Sequence, residues 1–216
     1  MDPTIIPKIT IYAIPLIFAI TLHEAAHAFA ARYFGDSTAY MMGRMTLNPL
    51  KHIDPVWTIA VPLMLLLIGS PFLFGAAKPV PVNFGALRNP KRDSIWVAAA
   101  GPAANLIMMI AWAIVWKVLM GTGPSGPGQF VMLVAQAGVF VNALLMVFNL
   151  FPLLPLDGGR IVAGLLPNRL AYQYSRLEPY GMFILVALMF TPVFGLFIWP
   201  LVDISQKAVY SVVGIS

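Results

Sequence analysis

The chain has 216 residues, of which 60% are hydrophobic and only 10% charged, and its mean hydropathy is +0.85. This balance excludes an ordinary water-soluble domain and predicts a polytopic, all-α protein embedded in a bilayer. The net charge of +5 comes without a dense basic run interleaved with aromatics, so it speaks for membrane topology rather than for nucleic acid as a partner. No cysteine is present, which excludes disulfide staples and thiolate metal sites.

Residues 10–33 read as the first helix, long enough at about 1.5 Å per residue to cross a hydrocarbon core of about 30 Å. The start, Met1-Asp2-Pro3, lacks the basic region of a cleavable signal. Inside the helix lies Thr21-Leu22-His23-Glu24-Ala25-Ala26-His27. A spacing of four puts His23 and His27 on one helical face, one turn apart, where two imidazoles can converge on one ion. Neutral imidazole suits zinc, and a neighbouring carboxylate that is not a ligand, Glu24, can take a proton from water activated at the metal. Hydrogen-bonded core histidines are the plain alternative. Against it stands the apolar setting, because ionisable groups in a bilayer cost roughly 2.5–3.5 kcal/mol each and need a partner or a function. Pro15, ahead of the motif, is a candidate kink.

Gly35-Asp36-Ser37 stops this helix, and Met41–Leu47 reads as a short strand. The third histidine, His52, falls in a Pro-bounded surface loop, as a loop residue or as an extra ligand or gate over the site. Residues 56–77 are apolar but broken by Pro62 and by Gly69-Ser70-Pro71, which suits either a span or a re-entrant hairpin. Residues 78–93 form a basic, proline-rich interfacial loop whose Val80-Pro81-Val82 offers an edge strand to an extended peptide, limited by its prolines.

A helix over 94–119 carries Gly101-Pro102-Ala103-Ala104-Asn105. Its small residues let a neighbouring helix approach closely. A buried amide such as Asn105 needs partners, which another helix or a substrate carbonyl can supply. After a glycine-rich turn, a helix over 129–151 ends at Asn149-Leu150-Phe151-Pro152-Leu153-Leu154-Pro155-Leu156-Asp157-Gly158-Gly159-Arg160. Two prolines break the helix just before Asp157, and an acid on irregular backbone in apolar surroundings is a candidate third metal ligand. Pairing with Arg160 is its ordinary explanation. Asn142 and Asn149 share one helical face, with Asn149 nearer the site. A last apolar helix is expected over 180–202, before a short polar tail containing Lys207.

Together, His23-Glu24-Ala25-Ala26-His27, Gly101-Pro102-Ala103-Ala104-Asn105 and the stretch from Asn149 to Gly159 resemble the site-2 protease family of intramembrane zinc metalloproteases. The motifs occur in the family's order and span nearly the whole chain. Gly43-Arg44 to Asp54-Pro55 and Ala77–Asn83 look like the compact prokaryotic branch without PDZ or CBS domains. The resemblance implies one Zn2+ per chain held by His23, His27 and Asp157, with Glu24 as general base and acid and Asn105 assisting. It implies transmembrane proteins as substrates, cut within the membrane. Asn149 and His52 are expected as substrate or gate contacts.

The expected architecture is a helical bundle of about four to six transmembrane segments with short interfacial strands or re-entrant loops, folded as a single membrane-embedded domain over 1–216. If the first helix descends to the cytosol and 56–77 is re-entrant, ten of the basic residues fall inside and only Lys8, Lys117 and Lys207 outside, as the positive-inside rule requires. That puts the site toward the cytosolic side of a prokaryotic cell membrane. Two other functions fit the same intramembrane residues: a metal-dependent transporter and an inactive binder of membrane helices.

Overall fold

In a computed structural model that describes residues 5–60, 64, 78–123 and 126–215, these elements are helical and no strand is formed among the described residues. Helix α1 runs Ile5–Tyr33, α2 Thr38–Met41, α3 Pro90–Thr122, α4 Pro127–Asn149, α5 Asp157–Leu165, α6 Asn168–Ser175, α7 Glu178–Met189 and α8 Pro192–Val213. Four of them, α1, α3, α4 and α8, are long and apolar enough to cross a membrane. The protein is therefore an all-α polytopic membrane protein.

Its packing inverts the order of a soluble domain. Large apolar side chains such as Leu16, Ile17, Phe18, Phe29 and Ile107 face outward, whereas α1 buries Ala19, Ala25, Ala28 and Ala31. Lipid is as apolar as leucine, so the gain lies in close helix approach through small residues. Against α1, α3 runs antiparallel: His27 meets Val97, and four residues back His23 meets Asn105. On the far side of α3, Met109 and Ala113 join Val139 and Ala143 of α4 and Ile198 and Val202 of α8 in the largest buried cluster. Trp112 lies where a Cβ on Gly138 would stand, so α3 and α4 meet through that glycine.

Several boundaries differ from the sequence expectation. Helix α3 starts at Pro90 rather than 94, because proline suits a first helical position and Asp93 accepts from the backbone N–H of Asn89 at 2.7 Å. The expected last helix is two. Pro192 cannot continue a helix and drives Thr191 to extended backbone (φ −104°, ψ 150°), which separates α7 from α8. The tail around Lys207 is helical, with a Lys207–Asp203 pair at 2.6 Å one turn apart. The expected strand at Met41–Leu47 is the end of α2 followed by a turn at Gly43 (φ 63°). Pro55–Ala60 is a single π-helical turn. Whether the rest of 56–77 spans or re-enters lies outside the described residues, apart from Met64.

One end of the bundle gathers the C-terminus of α1, the N-termini of α3 and α5 and the C-terminus of α4. Arg32, Lys91, Arg92 and Arg160 lie there. Lys117 sits at the opposite end, where it donates to the carbonyl of Val213.

Candidate active site

His23 and His27 come from consecutive turns of α1 and are both buried. Each ring is fixed from behind. His27 Nδ1 lies 2.7 Å from the carbonyl oxygen of Val97, a group that can only accept, so Nδ1 carries the proton. His23 Nδ1 lies 2.7 Å from Asn105 Oδ1. The orientation of that amide follows from its other contacts: Asn105 Nδ2 donates to Asn142 Oδ1 at 3.1 Å and toward the Ala19 carbonyl at 3.4 Å, and Asn142 Nδ2 donates to the Gly138 carbonyl at 2.8 Å. His23 therefore also holds its proton on Nδ1. In the neutral rings both Nε2 atoms present lone pairs, and they lie 3.0 Å apart.

The third group arrives on irregular backbone. After α4 ends at Asn149, the chain turns through Pro152 and a cis Leu154–Pro155 bond to start α5 at Asp157. Gly158 and Gly159 make the close approach feasible. A Cβ on the first would overlap the backbone of Leu150, and on the second that of Leu153 and Leu154. Asp157 Oδ2 then stands 3.2 Å from His23 Nε2 and 3.4 Å from His27 Nε2, with no hydrogen-bond donor of its own. Asp157 does not pair with Arg160, which binds Glu178 at 2.9 Å instead.

Three buried acceptors thus converge on one point. Ligands about 2.0–2.1 Å from a zinc ion at the tetrahedral angle stand roughly 3.3–3.4 Å from one another, close to the spacings here, and two imidazoles with a carboxylate are a common donor set for zinc that keeps a position open. Gly101 of α3 completes the cradle, since a Cβ there would overlap the imidazoles of both histidines. Its neighbour Pro102 cannot donate to the Ala98 carbonyl, which loosens the helical ladder beside Val97. Among the described residues, no other trio of His, Asp or Glu brings its donor atoms within 4.8 Å of one another.

A cavity of about 550 Å³ opens onto this trio, lined among others by Glu24, Asn149, Asp54, Val80, Phe84 and Arg160. Glu24, half-buried, is beside the histidines on α1 and accepts from the backbone N–H of Val80 at 2.7 Å. Asn149 lines the cavity while its Nδ2 donates to the Leu145 carbonyl at 2.9 Å. Asn105 does not reach it. The residue is fully buried and its NH2 is engaged by Ala19 and Asn142, so the structure gives it a place behind His23 rather than the expected donation to a substrate carbonyl. His52 also stands apart from the trio, with its Nε2 donating to the Thr46 carbonyl at 2.9 Å. The Val80-Pro81-Val82 segment pairs with no strand among the described residues.

Arg160 and Asp54 were not singled out from the sequence as cavity residues. Arg160 had a signal: it lies three residues after Asp157, on the same helical face. Its guanidinium also sits 4.7 Å over the ring of Phe84.

Fold and site together define a polytopic helical membrane protein with a buried His-His-Asp cluster at one end of its bundle. The profile of "Peptidase family M50" matches residues 11–192, and the chain belongs to that family, the site-2 proteases. It is 36% identical over 203 residues to "Putative zinc metalloprotease YwhC" of Bacillus subtilis, covering 91% of this chain and 87% of the relative. It is 28% identical over 198 residues to "Putative zinc metalloprotease Rip2" of Mycolicibacterium smegmatis, covering 86% and 69%. No solved structure gives a significant match.

Proposed function

We propose that this protein hydrolyses peptide bonds within membrane-embedded segments of protein substrates, with one zinc ion held by His23, His27 and Asp157 and with Glu24 as the general base. The observation that carries the reading is the convergence of three buried acceptors, separated by 3.0, 3.2 and 3.4 Å, beside a carboxylate in a shared cavity. Zinc bound there supplies Lewis acidity, which makes water a competent nucleophile at neutral pH.

The chain's own residues do the rest. Val97 and Asn105 hold the two imidazoles with protons on Nδ1, keeping both Nε2 atoms free. Glu24 takes a proton from the attacking water and passes it to the amine that leaves. The cavity, about 550 Å³, has room for a short extended peptide but not for a whole helix about 10–12 Å across. A helical substrate therefore unwinds locally, and Pro or Gly near the scissile bond favours cleavage.

We place the site on the cytosolic side of a prokaryotic cell membrane, since the basic residues Arg32, Lys91, Arg92 and Arg160 share its end of the bundle. The chain acts as one membrane-embedded unit over 1–216. An intact Glu24 on the cavity favours an enzyme over an inactive helix binder, and no observation favours a transporter. The test is cleavage of a reporter membrane helix by purified protein in detergent, comparing wild type with Glu24→Gln. Cleavage lost with zinc retained is expected. Equal cleavage by both would remove Glu24 from the chemistry and the reading with it.

A further inference from the structure

Glu24 has a partner that proton transfer itself does not require. The Val80 N–H that binds its Oε2 at 2.7 Å lies 56 residues further along the chain, on the irregular segment Lys78–Asn83, whose Pro79, Val80 and Val82 line the cavity. This strap is fastened on both sides of Val80. The Lys78 N–H donates to the His52 carbonyl at 2.9 Å. Buried Arg44 donates to the carbonyls of Lys78 at 2.9 Å and Pro79 at 3.4 Å. The Asn83 N–H donates to buried Asp36 at 2.7 Å. Between the fastenings, the Val80 side chain packs in one cluster with Ala28 and Ala39.

The sequence of the strap narrows its use. Pro79 and Pro81 have no N–H, so Val80 carries the sole backbone donor of the Pro-Val-Pro unit. Each proline also biases the residue before it to extended backbone, which presets both Lys78 and Val80. A rigid, four-point-fastened segment therefore aims one donor, and that donor meets the carboxylate beside the histidine pair. A free Glu side chain loses rotamer freedom on being fixed, and a hydrogen bond from a backbone N–H to a carboxylate is the strong kind that holds it.

We infer that the Val80 backbone N–H is the positioning group of Glu24: it anchors Oε2 and leaves Oε1 as the atom that receives the proton. The inference rests on Glu24 being the base. It identifies a function for the Pro-Val-Pro unit that a substrate edge strand does not need, and it makes the strap part of the proton-transfer geometry.

The experiment uses the full chain, zinc-loaded in detergent, with the same reporter helix. Val80→Pro removes the N–H while keeping the extended backbone. An amide-to-ester replacement at residue 80 removes it without adding a ring and decides the matter if Val80→Pro misfolds. Val80→Ala keeps the N–H and controls for side-chain packing. Expected is a fall in kcat of roughly 10- to 100-fold for the first two, with KM, bound zinc and Tm within about twofold or a few degrees of wild type, and a clearly smaller fall in kcat for Val80→Ala, which keeps the N–H. Independently of activity, hydrogen exchange at the residue 80 amide should quicken in Glu24→Ala. Wild-type or raised kcat without the N–H, or unchanged exchange, overturns the inference. If those results come with an inactive Glu24→Gln, Glu24 remains the base and only the positioning role falls. An active Glu24→Gln removes the base itself.

Discussion

His23 Nδ1 and Asn105 Oδ1 meet at 2.7 Å, and the contact is repeated one helix further out, where Asn105 Nδ2 meets Asn142 Oδ1 at 3.1 Å. Both asparagines are fully buried, and the chain of donors ends on the Gly138 carbonyl. Three helices thereby agree on which nitrogen of His23 is protonated. Groups that orient a metal-binding imidazole in this way are typically worth 10- to 100-fold in metal affinity. Asn105→Leu is expected to weaken zinc binding by roughly that factor, and Asn142→Leu by less, because the Asn105 amide keeps its Ala19 contact. Competition with a chelating dye measures both. An Asn105→Leu protein that folds and binds zinc as tightly as wild type would reduce the relay to helix glue.

The glycine of the second motif makes a sharper prediction. A Cβ on Gly101 would overlap both imidazoles, so Gly101→Ala must push α3 away from α1 or turn the rings. Zinc content and cleavage are both expected to fall sharply, with a lowered Tm. Gly195 is the control, since a Cβ there meets nothing nearer than Trp199 at 3.5 Å, ordinary contact distance. Alanine favours a helix interior over glycine by about 1 kcal/mol, so Gly195→Ala should leave zinc binding unchanged and Tm equal or higher. Equal behaviour of the two variants would mean that the close approach at Gly101 is incidental.

Much of this was legible beforehand because the strongest signals are local. The histidine spacing follows from helix periodicity, and α4 matched its expected range within two residues at either end. The proline breaks before Asp157 likewise announced irregular backbone. Depth agreement between His23, His27 and Asp157 followed from alternating helix direction. What the sequence hid were pairings set by packing. That Asn105 faces His23 rather than a substrate depends on how α1 and α3 are rotated. That Arg160 chooses Glu178 over Asp157 depends on α7 being a separate short helix, which the apolar run across Phe190 and Thr191 concealed. The Val80 contact joins residues far apart in the chain, and nothing in periodicity encodes it.

Arg160 and Glu178 test whether an ion pair at the cavity serves stability or substrate. Their side chains are 31% and 40% exposed, and pairs of that kind contribute only about 0–1 kcal/mol. Arg160→Gln should therefore leave Tm nearly unchanged. Because Arg160 lines the cavity and covers Phe84, the same change is expected to raise KM for a reporter helix severalfold. A large drop in Tm with unaltered KM would assign the residue to the fold alone.

Metal removal separates ligands from base. Without a cation or added protons, the two Nε2 lone pairs and Asp157 Oδ2 crowd one another at 3.0–3.4 Å. A zinc ion that binds the folded site and not the unfolded chain would, at a hundredfold excess over Kd, add about 2.7 kcal/mol to stability. A chelator is expected to abolish cleavage and lower Tm, and added zinc to restore both. Glu24→Gln should show the same zinc-dependent rise in Tm as wild type, since Glu24 is held by Val80 and is not one of the three converging groups. Asp157→Asn and His27→Ala should lose most of the rise. If Glu24→Gln lost it too, Glu24 would be a fourth ligand, and the base would have to be sought elsewhere on the cavity wall, with Asp54 the nearest candidate in kind.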